Sequence, residues 1–312
     1  MVKFSIGIPA FKSNFFEECI RSILNQDYDN FELIIVDDDS PYHLGSIIDN
    51  FHDNRIRYYR NNTNIGAINV VDNWNKCLSY ATGEYFICMG DDDRLSPDYL
   101  STFLRLIQTY PNINVYHCRS FIIDENSNNI SLTPSWPEWQ SVYEYIWHII
   151  GFKYHHFIGD FVFKTDNLKY IGGFYKITLA WGSDDITSFI AAINGGIVHT
   201  QKPVFHYRQN IHSITSTGSA KLKLMALKEE QQWYKQFLSK NTPQIEIDKI
   251  MRENIKKEYP SYFSKFSLWT IVESINSIKN LVEFIFTYKS YGFSKIDCVK
   301  VVIKYIQKSL KQ

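Results

Sequence analysis

No GxGxxG follows the first apolar stretch of this 312-residue chain, and no GxxxxGK[ST] occurs anywhere in it. Those loops cradle nucleotide phosphates on backbone N–H groups, so their absence argues against dinucleotide oxidoreductases and P-loop NTPases. A nucleotide phosphate would then have to be held through a metal. Cysteine is sparse: Cys19, Cys77, Cys88, Cys118 and Cys298 are scattered, odd in number and without a CxxC pair. That pattern fits reduced thiols and offers no zinc site. No apolar run reaches the length of a membrane span, because Glu273, Lys279 and Glu283 interrupt the best candidate. The first residues, Met1-Val2-Lys3-Phe4, enter a strand-like pattern directly, so no signal peptide is expected and the location reads as cytoplasmic.

What is present is ordinary globular composition, 45% hydrophobic and 21% charged, with 16% aromatics. The aromatics suit both β-rich packing and sugar-facing surfaces. The formal net charge of zero hides an asymmetry. From Ser219 onward there are 17 Lys+Arg against 9 Asp+Glu, hence +8, which leaves −8 for residues 1–218. An acidic body with a basic tail implies that the tail meets something anionic, and no nucleic-acid partner is expected.

Three carboxylates in a row, Asp91, Asp92 and Asp93, follow the apolar run Tyr85 to Met89 and Gly90. Adjacent like charges repel, and a compensating cation relieves that repulsion; carboxylate oxygens suit Mg²⁺ or Mn²⁺. Residues 3–11 read as a first strand, and Ser13 as the cap of a helix reaching about Gln26. Residues 31–36 (FELIIV) form a second strand that ends in Asp37-Asp38-Asp39. Residues 43–52 read as helical and 55–60 as a strand. A loop over 61–66 leads to a helix ending near Gly83, and Pro97 opens another helix. Such alternation implies βαβ units and a mainly parallel sheet, with ligands outside the carboxyl ends of the strands. Two acidic strand ends then share one edge.

Ile8-Pro9-Ala10-Phe11, Val36-Asp37-Asp38-Asp39-Ser40, Asn64-Ile65-Gly66, Ala81-Thr82-Gly83-Glu84-Tyr85 and Gly90-Asp91-Asp92-Asp93 recur in that order and spacing. Together they resemble family 2 glycosyltransferases of the GT-A fold over roughly the first hundred residues. The resemblance implies an α/β domain over 1–218, with a nucleotide-sugar half at about 1–110 and an acceptor half at about 111–218. A basic, mostly helical region follows over 219–312. It also implies a UDP-hexose donor, a divalent Mn²⁺ or Mg²⁺ ion on an Asp-x-Asp-type motif, and inversion at the anomeric carbon.

Carried onto this chain, the resemblance puts the metal on Asp92 and Asp93 with His206, and the donor on Pro9, Phe11, Asp37, Asp38, Asn64, Gly66, Asp91 and Arg208. The second half adds Gly172-Gly173-Phe174, then Trp181-Gly182-Ser183-Asp184-Asp185 at a helix start, where Asp185 is the expected base and Asp184 its companion. His206-Tyr207-Arg208 with Ser213 and Thr215 resembles a loop that closes over the donor. Two departures stand out. Gly90 occupies the place of the first Asp of the usual motif, and Asp184 that of a Glu. His155-His156 lack any partner spacing for a metal site and are left out. Trp136, Trp139 and Trp147 read as packing residues more than as an acceptor pocket.

In the tail, Lys300, Lys304, Lys308 and Lys311 are expected on one helical face and Val299, Val302, Ile303, Ile306 and Leu310 on another. Beside the aromatic stretch 266–286, this reads as a helix resting on anionic lipid or as a cap on the catalytic part. The first implies peripheral contact with the cytoplasmic face of a bacterial inner membrane. By analogy with O-antigen and capsule assembly, the acceptor would be an undecaprenyl-diphosphate-linked sugar such as GlcNAc, receiving a β-linked glucose. Two other readings are a GT-A-like nucleotidyltransferase and a non-catalytic nucleotide-sugar-binding component. The first calls for a Gly-rich basic loop that Pro9-Ala10-Phe11-Lys12 does not match.

Overall fold

The computed structural model of the chain describes residues 1–151, 155–209 and 219–310. Its sheet starts where the apolar runs predict. β1 (Phe4–Ala10) pairs in parallel with β2 (Phe31–Asp37), which is buried along its whole length, as a strand covered on both faces must be. Between them α1 (Phe16–Leu24) turns Phe16, Cys19, Ile20 and Ile23 onto the sheet. It begins later than the Ser13 cap implies. Ser13 contributes only its carbonyl, to Phe16 N at 3.3 Å, and the preceding Phe15 has no side chain that can cap.

After α2 (Leu44–Ile48), β3 (Ile56–Arg60) adds in parallel to β2. The helix α3 (Val70–Tyr80) then returns the chain to β4 (Tyr85–Cys88), parallel to β1. A two-residue β5 (Arg94–Leu95) follows the acidic triplet, and α4 (Tyr99–Thr109) starts two residues after Pro97. The second half contributes β6 (Val115–Ile123), β7 (Asn129–Leu132), β8 (Trp139–Gln140), α5 (Val142–Ile150), β9 (Phe161–Lys164), α6 (Thr165–Tyr170), α7 (Ser183–Ala192) and β10 (Ile197–Arg208).

The strand order is β3-β2-β1-β4-β9-β6-β10-β5, with β7 on β6 and β8 on β10. β9 enters antiparallel between β4 and β6, so it joins the parallel donor-side strands to the parallel β6–β10 pair. The result is a mainly parallel sheet flanked by helices, a GT-A architecture, with its acidic strand ends on one edge.

Among the described residues after 219, the α-helices are α8 (Ala220–Lys240), α9 (Glu246–Ser274), α10 (Ile278–Thr287) and α11 (Lys295–Ser309). One apolar cluster includes Phe86, Phe163 and Phe174 of the sheet side together with Leu227, Tyr234, Phe263, Ile271 and Val301 of these helices. The core is therefore continuous across residue 219. In α11 the buried face is Cys298 and Val301, whereas Val299, Ile303, Ile306 and Leu310 are exposed. The exposed set was expected to be the apolar side, and it is, but nothing among the described residues covers it. Lys308 pairs with Glu273 and Lys300 with Asp297; Lys311 lies outside the described residues. No helix among the described residues is long and apolar enough to cross a membrane.

Candidate active site

A cavity of about 1270 Å³ lies at the carboxyl ends of β1, β2 and β4. It gathers Pro9, Phe11, Asp38, Asn64, Gly66, Asp91, Asp92, Asp93, Asp184 and Asp185 in one space. Of the residues expected to hold donor or metal or to act as base, three do not line it: Asp37, His206 and Arg208.

Each of the three has a physical reason. The Asp37 carboxylate is fully buried and accepts bonds from Ser40 N at 2.7 Å, the Tyr58 hydroxyl at 2.5 Å and Arg60 Nη1 at 3.1 Å. It fixes the turn after β2, while its neighbour Asp38 faces the cavity. Strand alternation explains His206. Its Nε2 meets Ser96 Oγ at 2.9 Å, beside Phe121, while Tyr207 lines the cavity. Burial, then Arg94 and Arg208, push its pKa down to about 4, so it is neutral at pH 7. The ring faces Ser96 and Phe121 and not the cavity, so the expected His206 ligand role has no geometric support. The Arg208 guanidinium is buried and spends its donors on Asp92 O (2.7 Å), Asp124 O (2.9 Å), Ser127 Oγ (3.0 Å) and Glu18 Oε2 (2.8 Å), stacked 4.0 Å over Phe15. It braces the acidic turn from behind instead of reaching the donor side. Ser213 and Thr215 lie outside the described residues.

The donor-side loop is organised by Asp38. Its Oδ1 accepts from Asn61 Nδ2 at 2.8 Å and Ile65 N at 3.0 Å, its Oδ2 from Gly66 N at 3.2 Å, and its carbonyl from Asn64 Nδ2 at 2.7 Å. Asn64 and Gly66 therefore reach the cavity because Asp38 holds their loop. Phe11 and Tyr42 meet edge-on at 6.1 Å, both exposed and both lining the cavity. Tyr42 was not singled out from the sequence, since nothing short of the fold brings it beside Phe11.

The acidic triplet is folded back on itself. Asp91 Oδ2 accepts from the backbone N–H of Phe11 and of Lys12, each at 2.7 Å, and Asp93 Oδ1 accepts from Arg208 N at 2.9 Å. Gly90 is what allows this. A Cβ there would stand 2.8 Å from Asp93 Oδ2 and 3.0 Å from Asp92 Oδ1. The glycine in place of the usual first Asp is thus a packing requirement of the three acids behind it. Gly90→Ala is expected to force two carboxylates aside, and weakened Mn²⁺ binding with the fold retained, read by calorimetry and circular dichroism, checks it.

Lys12 supplies a positive charge at this edge. Its Nζ is 3.3 Å from Asp91 Oδ1 and forms a closer ion pair with Asp92 Oδ2. Burial opposes the charge on Lys12, but Asp91, Asp92 and Asp93 outweigh it and hold the ammonium above the ordinary lysine range. Burial and the neighbouring Asp92 push Asp91 and Asp93 up, Asp93 well up. The donor set is all oxygen, and a cation already stands beside it, so these residues fit a hard divalent ion.

Asp184 and Asp185 sit in the first turn of α7, where a helix N-terminus favours negative charge. The turn before them is set by Gly172-Gly173-Phe174. Gly173, at φ +84, would place a Cβ 2.3 Å from Asn75 Oδ1, and Asn75 bonds both Phe174 N (2.7 Å) and Phe174 O (3.1 Å). That clamps the segment to α3 and delivers residues 179–185 to the cavity, Leu179 and Ala180 being held at positive φ. Burial, then Asp185, push Asp184 up to about 6. His156 Nε2 lies 3.1 Å from Asp185 Oδ1, and the ligand atoms of His156, Asp184 and Asp185 fall within 4.8 Å of one another.

His156 is the functional-site residue the sequence reading set aside. Its proximity to Asp185 is created by β9 and α5, not by spacing along the chain. Glu230 of α8 is a second such residue. It lines the cavity, is buried with one oxygen unbonded, and is pushed well above the carboxylate range by burial, then Asp185 and Asp184. Tyr262, Lys265, Phe266 and Trp269 of α9 and Lys304 of α11 line the same cavity. Trp136 stacks on His199, and the Trp139 indole N–H bonds Gly195 O; neither these nor Trp147 lines it.

The family model described as glycosyl transferase family 2 matches residues 5–169. The Escherichia coli putative colanic acid biosynthesis glycosyl transferase WcaA is 42% identical over 87 residues, 27% of this chain and 30% of that protein. A Campylobacter jejuni GalNAc(5)-diNAcBac-PP-undecaprenol beta-1,3-glucosyltransferase is 35% identical over 108 residues, 34% of each. These matches span about a third of the relatives' lengths. Among solved structures, S. aureus TarS 1–349 in complex with UDP-GlcNAc superposes with a TM-score of 0.67 at 17% identity, over 93% of this chain and 80% of that one. The mannosyltransferase PcManGT from Pyrobaculum calidifontis, in complex with GDP-Man and Mn²⁺, gives 0.56 at 14% identity, over 98% and 92%.

Proposed function

The chain belongs to glycosyl transferase family 2, and from that premise we propose that it moves a hexose, glucose first among candidates, from a UDP-sugar to a lipid-linked sugar, with inversion. The observation that carries this reading is the single cavity in which both acidic strand ends meet the Asp184–Asp185 pair. Phe11 and Tyr42 would flank the base, with Pro9, Asp38, Asn64 and Gly66 along the nucleoside. Asp92 and Asp93 would hold Mn²⁺ or Mg²⁺, which when bound supplies charge compensation for the departing diphosphate. Lys12 adds a fixed cation beside Asp91 and Asp92 for the same diphosphate.

Asp185 takes the proton of the acceptor hydroxyl, whose oxygen forms the new bond to the anomeric carbon. The carbon–oxygen bond to the diphosphate breaks with its electron pair leaving on UDP. One displacement with one base inverts the centre. The lipid-linked acceptor draws support from the Campylobacter relative, an undecaprenol-linked-glycan glucosyltransferase, and the UDP donor from the ligand of the TarS structure.

The helices over 219–312 supply the acceptor-side wall of the catalytic unit in this reading, through Tyr262, Lys265, Phe266, Trp269 and Lys304. Their outer face carries Ile278, Val282 and Phe286 of α10 and Ile296, Val299, Ile303 and Ile306 of α11, all exposed, among lysines. An apolar stripe flanked by cations is complementary to anionic lipid, so the protein would work peripherally on the cytoplasmic face of an inner membrane. Because Ile303 and Ile306 are exposed, I303E/I306E should fold normally. It is expected to lose sedimentation with phosphatidylglycerol vesicles, and undiminished sedimentation would remove the lipid contact.

The test of the function is a panel of UDP-sugars and GDP-mannose with Mn²⁺ and an undecaprenyl-diphosphate-GlcNAc acceptor. One UDP-hexose is expected to release UDP slowly alone and faster with acceptor, and EDTA to stop both. Tight nucleotide-sugar binding with no release from any donor would favour a non-catalytic component.

A further inference from the structure

Behind Asp185 the structure carries a hydrogen-bonded chain that the reaction as written does not use. His156 Nε2 lies 3.1 Å from Asp185 Oδ1, and its Nδ1 lies 2.8 Å from the Tyr145 hydroxyl. The His156 side chain is 3% exposed and that of Asp185 20%; both line the cavity, and the carboxylate is the more open of the two. Tyr145 is buried in α5, its ring stacked 5.8 Å from the imidazole and meeting Phe189 of α7 edge-on at 5.4 Å. Ser188 Oγ donates to the Asp185 carbonyl at 2.8 Å. Both neighbours of His156 are thus tied to the helix that carries Asp185.

We propose that Tyr145 and His156 are positioning residues for Asp185: they fix one carboxylate oxygen and leave the other for the acceptor hydroxyl. This rests on the reading of Asp185 as the base. The geometry is tolerant of the proton. With a neutral ring, Nε2–H donates to Asp185 and Nδ1 accepts from the tyrosine hydroxyl. With a charged ring, both nitrogens donate, and the hydroxyl, which can also accept, takes the Nδ1–H hydrogen bond. The ring keeps both partners in either state, so the carboxylate keeps its orientation before and after it takes the acceptor's proton. The proton itself stays on Asp185 until product leaves, and none has to pass to His156.

The charges around the imidazole favour this arrangement. Burial opposes its protonation, yet Asp185, then Asp184 and Asp160, raise its pKa above the ordinary value. From β6 and β10, His117 and His199 face it; burial holds both well down, and they add no charge at pH 7. His155 is likewise lowered by burial and by His156. Glu230, Tyr234 and Tyr262 of α8 and α9 stand near Asp185, and burial raises all three. The carboxylates beside the ring therefore favour the imidazolium.

The closeness of the His156, Asp184 and Asp185 ligand atoms also permits a shared cation, and the experiment separates the two. Imidazole ¹³C–¹H resonances of labelled protein are followed with pH in wild type and Asp185→Asn. The His156 midpoint is expected to fall by about one pH unit or more when the carboxylate is lost. An unchanged midpoint overturns the proposal, and so does selective broadening of the His156 resonance by stoichiometric Mn²⁺ in Asp92→Ala protein.

Kinetics supply the second arm, with UDP-glucose and the other UDP-hexoses of the panel. His156→Ala is expected to lower kcat about 10- to 100-fold with donor KM within twofold, as a misplaced reacting group does. His156→Gln, whose amide can still donate, should recover part of the loss. Full kcat in His156→Ala overturns the proposal. If no donor is turned over by wild type, the reading of the function fails, and the resonance titration still decides the hydrogen bond.

Discussion

Asp185→Asn is expected to bind its nucleotide-sugar donor as wild type does and to lose about 10²- to 10⁴-fold in kcat, the usual worth of a general base. The substitution keeps size and hydrogen bonding while removing the basic oxygen, and Asp185 N would still meet Asp184 Oδ1, 3.1 Å away. Donor binding should survive because its residues come from the ends of β1, β2 and β4, not from α7. The pH profile adds a sign. Burial, then Asp185, hold Asp184 up to about 6, so Asp184 gains a proton as pH falls through that value. A proton there removes the negative charge beside the base, and kcat should therefore drop below about pH 6 and level off above. Stopped single-turnover transfer from pH 5 to 8, with donor affinity measured by calorimetry, checks both statements; transfer at wild-type rates in Asp185→Asn removes the base assignment.

The first hundred residues disclose their fold and much of their site because the relevant physics is local. Apolar runs of strand length, each ending in acids, place Asp38 and Asp91 to Asp93 on one edge without any tertiary information. The errors within that half are errors of side-chain direction. Asp37 and Asp38 are adjacent and chemically identical, but strand alternation sends one into Tyr58 and Arg60 and the other to the cavity. His206 and Arg208 misled for the same reason. Alternate positions on β10 point away from the cavity that Tyr207 lines, and the guanidinium is consumed by backbone carbonyls and Glu18.

Long-range assembly hid the remainder. Glu230, Lys265 and Lys304 line the cavity only because helices after residue 219 fold over it, and charge counting along the tail cannot reveal that. His156 reaches Asp185 through the packing of α5 against α7, and a His-His pair without a spaced acid carries no such signal. The tail helix showed its two faces in sequence but not which one is buried. Cys298 and Val301 won that contest, and the more regular stripe of Val299, Ile303 and Ile306 was left outside.

Asp92→Asn should abolish metal-dependent transfer and yet leave the fold at least as stable as wild type. Asp92 is 8% exposed, between two other buried carboxylates, and Asp91 and Asp93 are both raised by its charge. Removing one of three crowded negative charges relieves repulsion that Lys12 offsets in part. Catalysis moves the other way. A carboxylate aimed at the departing diphosphate through its ion is worth about 10²- to 10³-fold in rate, as other preorganised charge stabilisers are. Lys12→Met separates the two roles. It keeps all three acids and removes their internal cation, so it should lower the Tm of the metal-free protein and make Mn²⁺ stabilise it more than wild type. Thermal melts of wild type, Asp92→Asn and Lys12→Met with and without Mn²⁺ test the scheme together. An Asp92→Asn protein that melts well below wild type would mean the triplet holds the fold, and undiminished Mn²⁺-dependent transfer would mean the ion sits elsewhere. The expected opposite responses follow from one cause: three acids are buried at one strand end, where a fold alone would not keep them.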